Sequence, residues 1–159
     1  MPKPPVPHMF RRHSLIRTTV LPMDPDSVWR TIGRFAGLAD WHPTVPPSVM
    51  EEGDDPEMPG TVRAFLLDGA VVARERLLAR DDSARAFRYT VFDTPLPITD
   101  YEATLTVVAH DQGAEVRWSA IYNGADETVP EVERLFGDVV YASGLAALRA
   151  RFTTPPEAE

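Results

Sequence analysis

One carboxylate in this chain stands among residues that ought to be covered. From Val71 to Ala79 the odd positions are Val71, Ala73, Glu75, Leu77 and Ala79, while the even ones include Arg74 and Arg76. Alternate residues of a strand face opposite sides of a sheet. The apolar odd set is therefore the inner face, and Glu75 goes inward with it. A carboxyl in an apolar interior holds its proton more tightly than one in water, which suits it to general acid–base chemistry. A three-residue hairpin loop over Asp68-Gly69-Ala70 would set Leu67 opposite Val71, Phe65 opposite Ala73 and Arg63 opposite Glu75. Arg63 gives the same carboxylate a second reading, a buried structural ion pair without chemistry.

The other groups able to move a proton or orient a ligand are aromatic. Tyr89 alternates with Arg88 and Thr90 on the same side as Phe87 and Val91. A hairpin turning at Asp111-Gln112-Gly113 sets Leu105 beside Trp118, Ala103 beside Ala120 and Tyr101 beside Tyr122, so these rings also face inward. Such rings either orient a ligand by stacking and hydroxyl hydrogen bonds or fill a core. His42, between Trp41 and Pro43, can shuttle protons at a cavity mouth, or it can cap a broken helix or sit in solvent. The candidate set is Glu75, Tyr89 and His42 for proton transfer, with Arg63, Phe65, Trp41, Tyr101, Trp118, Tyr122, Val139 and Ser143 for ligand contact. No histidine pair has metal-ligand spacing and there is no cysteine, so neither a metal centre nor a thiolate nucleophile is expected.

The elements that must position these groups follow from periodicity and punctuation. Met1 to Arg12 carries four prolines and reads as a loose tail; His13 to Leu21 reads as a first strand. Val28, Trp29, Ile32 and Phe35 recur at helical spacing after Asp24 or Asp26, either of which can cap the start. Gly33, Gly37 and Pro43 then break that helix into short pieces. Strands follow at Val49 to Glu52, Thr61 to Leu67, Val71 to Ala79, Ala86 to Asp93, Tyr101 to Ala109 and Ala114 to Tyr122. The last element is a long helix, Pro130 to Phe152, with Thr128 as its expected cap. Its apolar stripe is Val132, Leu135, Phe136, Val139, Ala142, Ser143 and Ala146, with Tyr141 falling off it. Several of these side chains are small, so a space between helix and sheet is expected. The domain runs from 13 to 152, followed by a polar tail, 153–159.

Composition narrows the function classes. Sixteen basic residues against twenty-four acidic ones leave a formal charge of −8, which disfavours binding to a phosphate backbone. No apolar run is long enough to span a bilayer, and no signal peptide is evident, so a cytoplasmic protein with no membrane or nucleic-acid partner is expected.

Several stretches carry a resemblance. They are Val28-Trp29 with Phe35, Trp41-His42-Pro43, Gly60-Thr61-Val62-Arg63, Asp68-Gly69 and Arg74-Glu75-Arg76-Leu77-Leu78, then Pro95-Leu96-Pro97 with Tyr101, and Val116-Arg117-Trp118-Ser119-Ala120. In this order, over roughly His13 to Phe152, the chain resembles the SRPBCC superfamily. These are the START/Bet v 1-like helix-grip proteins of polyketide cyclase/dehydrase and lipid-transport type. The resemblance implies an α+β helix-grip fold, a curved antiparallel sheet of about seven strands wrapped around a long C-terminal helix. It also implies a cavity for a small hydrophobic ligand; no cofactor is expected, and the chain is expected to be a monomer or homodimer. Cyclase or dehydratase chemistry and a non-catalytic carrier are both within what it allows.

Overall fold

The computed structural model describes residues 10–52 and 55–153. Seven strands, all paired antiparallel, form one sheet: β1 (Phe10–Leu21), β2 (Ser48–Glu52), β3 (Val62–Leu67), β4 (Ala70–Asp81), β5 (Ala86–Asp93), β6 (Ile98–His110) and β7 (Gly113–Ala125). Their order across the sheet is β1-β7-β6-β5-β4-β3-β2. The chain thus walks from one edge to the other by successive hairpins, except for β1, which joins the opposite edge beside β7. β1 starts earlier than expected, because Phe10, Arg11 and Arg12 extend the ladder onto Ala125, Gly124 and Asn123. The rest of the expected tail, residues 1–9, lies outside the described residues, as does the segment 154–159.

Between β1 and β2 run two short helices, α1 (Pro25–Ile32) and α2 (Leu38–Trp41), linked through a 3-10 turn, Phe35–Gly37. Asp24 caps α1 by accepting from the Ser27 amide at 2.9 Å, and Pro25 fills the first turn, where its missing N–H costs nothing. Val28, Trp29 and Ile32 bury the inner face of α1.

The C-terminal helix, α3, is a continuous rod of 28 residues. It passes from a 3-10 turn (Asp126–Thr128) through one α-helical turn (Val129–Val132) and a π-wound stretch (Glu133–Ala142) into a regular α-helix (Ser143–Thr153). It begins before the expected cap, and the Thr128 side chain caps nothing. The π winding shifts the buried stripe. The residues that α3 buries are Val132, Phe136, Gly137, Tyr141, Gly144, Leu145 and Leu148. The step of five from Phe136 to Tyr141 would rotate a regular α-helix well off its face, whereas i→i+5 winding keeps both on one side. Tyr141 is thereby turned into the core, and Ala146, expected on the stripe, is exposed.

Local irregularities aim the site residues. The β3–β4 hairpin closes through a two-residue turn, Asp68-Gly69, with φ of 53° and 82°, as a tight hairpin of matching twist requires. Leu67 consequently pairs with Ala70, not with Val71 as the longer loop predicted. A bulge between Phe65 and Leu66 absorbs the difference, so Phe65 still faces Ala73 and Arg63 still faces Glu75. In the β6–β7 ladder, Leu105 opposes Trp118 and Ala103 opposes Ala120 as expected. A bulge between Thr99 and Glu102, with Asp100 at φ 53°, takes Tyr101 out of the ladder. It nonetheless stacks on Tyr122, with ring centroids 6.1 Å apart.

Candidate active site

The concave side of the sheet is filled at one end and hollow at the other. At the filled end Trp118, Leu105 and Phe87 of the sheet meet Trp41 and Ile32, leaving gaps too small to admit a water. Trp118 and Tyr141 stack at 4.4 Å between centroids, only 13° from parallel, and close the inner wall of the hollow. Beyond them lies a cavity of about 330 Å³. Phe65, Ala73, Glu75 and Tyr89 of the sheet line one side, and Leu135, Phe136, Val139 and Val140 of α3 line the other. Leu38, the turn Thr44-Val45-Pro46 and the link Thr94-Pro95 complete the wall. The space arises where the π-wound segment faces β3–β5.

Glu75 is the only charged side chain on this wall among the described residues. Its neighbour Arg63 is 1% exposed. Arg63 Nε and Nη2 both reach Glu75 Oε1, at 2.8 and 2.7 Å. The third nitrogen, Nη1, donates to the Phe35 carbonyl at 2.6 Å. The guanidinium lies 4.0 Å from the centroid of the Phe35 ring and 4.8 Å from that of Tyr89, so aromatic faces replace the water it has lost. Both contacts of Arg63 with the carboxylate engage Oε1, and no hydrogen bond to Oε2 is found among the described residues. The one fully sealed side-chain polar atom without a partner among them is Trp41 Nε1. Oε2 is therefore unbonded but not sealed, and Glu75 is one of the residues lining the cavity. Burial raises the Glu75 pKa above the usual 4.5, against the opposing pull of the Arg63 charge.

A row of phenols continues inward from Glu75. The Trp118 indole N–H donates to the Tyr89 hydroxyl at 3.0 Å, and the hydroxyls of Tyr101 and Tyr141 bond to each other. Burial pushes the pKa of all three tyrosines above the ordinary phenol value, with the negative charge of Glu75 adding to it, so they remain protonated near neutral pH.

The structure divides the expected site residues into three groups. Glu75, Tyr89, Phe65, Trp118 and Val139 line the cavity together. Arg63, Tyr101, Tyr122 and Trp41 stand behind that wall as buried supports. His42 and Ser143 belong to neither group. His42 accepts the Thr44 and Val45 amides on Nδ1, both at 3.2 Å, leaving Nε2–H to donate to the Val140 carbonyl at 2.6 Å. Both nitrogens are held by backbone groups, and the ring latches the 42–45 turn to α3. Burial lowers its pKa below the ordinary 6.5, the Val140 bond opposing, which keeps the ring neutral. Ser143 donates to the Asp138 carbonyl at 3.1 Å within its own helix, because the winding has rotated it away from the sheet. Sequence reasoning offered Tyr141 as a ring able to orient a ligand but set it off the helix stripe, and it passed over Leu135 and Phe136 as cavity residues. A one-residue slip in the stripe, between the phase of Val132 and Phe136 and that of Tyr141, Leu145 and Leu148, was the available signal.

The sequence matches the family model described as polyketide cyclase/dehydrase and lipid transport over residues 12–153. No curated protein matches the chain. Among solved structures, a protein from Thermobifida fusca determined by solution NMR is 37% identical, with a TM-score of 0.81 over 87% of this chain and 92% of its own. A Nitrosospira multiformis protein is 25% identical, with a TM-score of 0.75 over 89% of this chain and 97% of its own. Norcoclaurine synthase from Thalictrum flavum, at 19% identity, shares the fold, with a TM-score of 0.69 over 89% of this chain and 87% of its own.

Proposed function

This chain belongs to the polyketide cyclase/dehydrase and lipid-transport family, and we propose that it binds a small hydrophobic, aromatic or polyketide-like molecule in the cavity and moves protons on it through Glu75. The observation that carries this reading is a buried carboxylate with an unbonded Oε2 on a wall that has no other charged side chain among the described residues. Ionised, Oε2 takes a proton from an acidified carbon or hydroxyl of the bound molecule. Protonated, it returns that proton to a departing hydroxyl, which leaves as water. The protonated Tyr89 hydroxyl, beside it on the wall, steadies an oxygen on which charge builds. The walls supply the remainder by holding a flexible chain in a reactive conformer and keeping water out.

A carrier is the second reading, and one observation favours it. Arg63 neutralises Glu75 at 2.7 Å, which weakens the carboxylate as a base. Native mass spectrometry of freshly purified protein, followed by incubation with the extracted molecule, tests both. A bound species that is recovered lighter by one water, or as an isomer, supports proton-transfer chemistry. Recovery of the same molecule unchanged supports the carrier. Protein that neither retains nor takes up any such molecule removes the cavity from the argument.

A further inference from the structure

The chemistry of the cavity wall restricts what it can hold. Among the described lining residues there is no Lys, Arg or His, and the nearest guanidinium, Arg63, has all three nitrogens committed to Glu75 and the Phe35 carbonyl. A ligand carboxylate, sulfonate or phosphate would enter an apolar hollow with no counter-charge, and an unpaired buried ion is costly. A permanent cation fares no better, because the charge of Glu75 is already balanced. No lining side chain donates a hydrogen bond to Oε2, the Tyr89 hydroxyl being engaged with the Trp118 indole instead. At about 330 Å³ the cavity lies at the small end of ligand sites, which run from roughly 300 to 1,000 Å³.

Resting on the reading of this cavity as the binding site, we infer that its ligand is an uncharged molecule of one or two fused rings, or a chain of that bulk, carrying a hydroxyl or N–H that donates to Glu75 Oε2. Fatty acids, phosphate esters and other anionic lipids are excluded by the same argument. The donor decides orientation as well as affinity, since Oε2 is the one strong acceptor on the wall: the hydroxyl end goes inward, and the remainder points toward Val139 and Pro95.

Calorimetry on the intact protein with four bicyclic probes tests this. We expect 2-naphthol to bind roughly 10- to 100-fold more tightly than naphthalene, the range for a hydrogen bond to a charged acceptor. Binding by 2-methoxynaphthalene, which accepts but cannot donate, should match naphthalene, and 2-naphthoate should not bind. Equal affinity for 2-naphthol and naphthalene would overturn the donor inference while leaving the cavity reading intact. Binding of 2-naphthoate would overturn the exclusion of anions, and failure of all four probes would remove both readings. In the double variant Arg63→Met/Glu75→Leu the preference for 2-naphthol should vanish while naphthalene still binds; a preference that persists would remove Glu75 from the argument. The wild-type series is decisive even if that variant does not fold.

Discussion

The Arg63–Glu75 pair illustrates how one residue can be structural and chemical at once. The two oxygens of its carboxylate are separated in role, Oε1 bound by the guanidinium and Oε2 left unbonded among the described residues. Breaking the pair strands a buried charge, so Arg63→Met alone should cost about 3–5 kcal/mol of stability in urea unfolding. In Arg63→Met/Glu75→Leu most of that loss should be recovered, because no charge is left in the core. A double variant as unstable as the single one would mean that the packing around Phe35 and Tyr89, and not the charge, is what matters there. Period-two alternation put both residues on the inner face, and the hairpin count reached the right partner because the Phe65–Leu66 bulge offsets the shorter turn. The single-sided engagement of the carboxylate was not legible, since no spacing rule says which oxygen an arginine takes.

At the level of elements, the molecule depends on the π-wound part of α3 and on what clasps it. An α-helical reading puts Val139, Ser143 and Ala146 on the sheet-facing stripe, whereas the extra residue per turn brings Tyr141 there and turns Ser143 onto the Asp138 carbonyl. The strands were legible because each carries its own alternation. The winding was not, because it is set by tertiary partners, one of them the His42 ring on the Val140 carbonyl. The other side of this ring, where Nδ1 accepts from the 42–45 turn, is the part sensitive to acid. The folded pKa of His42 lies below the unfolded value near 6.5, so its contribution is complete above that value and is lost as pH falls through the folded pKa. A protonated ring can no longer accept from the Thr44 and Val45 amides. Hydrogen-exchange protection factors at those two amides should therefore drop on acidification below about pH 6.5, and in His42→Phe they should be low at every pH. Gly144 packs against the same latch: a Cβ there would meet His42 Cδ2 at 2.7 Å and Trp41 Cζ3 at 3.1 Å. Alanine would gain about 1 kcal/mol in helix propensity, yet overpacking of this kind costs typically 1–3 kcal/mol. Gly144→Ala should thus be neutral to destabilising by up to about 2 kcal/mol in urea, the difference of those two figures.

For the molecule as a whole, fold and hollow have separate origins. Element order, antiparallel pairing and inward faces were readable along the chain, and with them the helix-grip architecture. The position of the cavity depends on a bulge, a helix wound off its usual pitch and a turn clasped by histidine, all consequences of packing between distant segments. Because the hollow is not needed to close the core, filling it should leave the fold intact. Ala73 lines it and is half-buried. Ala73→Leu should hold or raise the melting temperature and weaken 2-naphthol binding at least tenfold by removing space worth several methylenes. Unaltered binding would place the probe elsewhere.

The parallel stack of Trp118 on Tyr141, at the inner limit of that space, has a practical corollary. It makes the protein its own optical gauge. An indole stacked on a phenol and lining a cavity changes its emission when a guest alters the polarity beside it. Occupancy can thus be followed by fluorescence on unlabelled material, with Trp118→Phe as the blank that separates its light from that of Trp29 and Trp41.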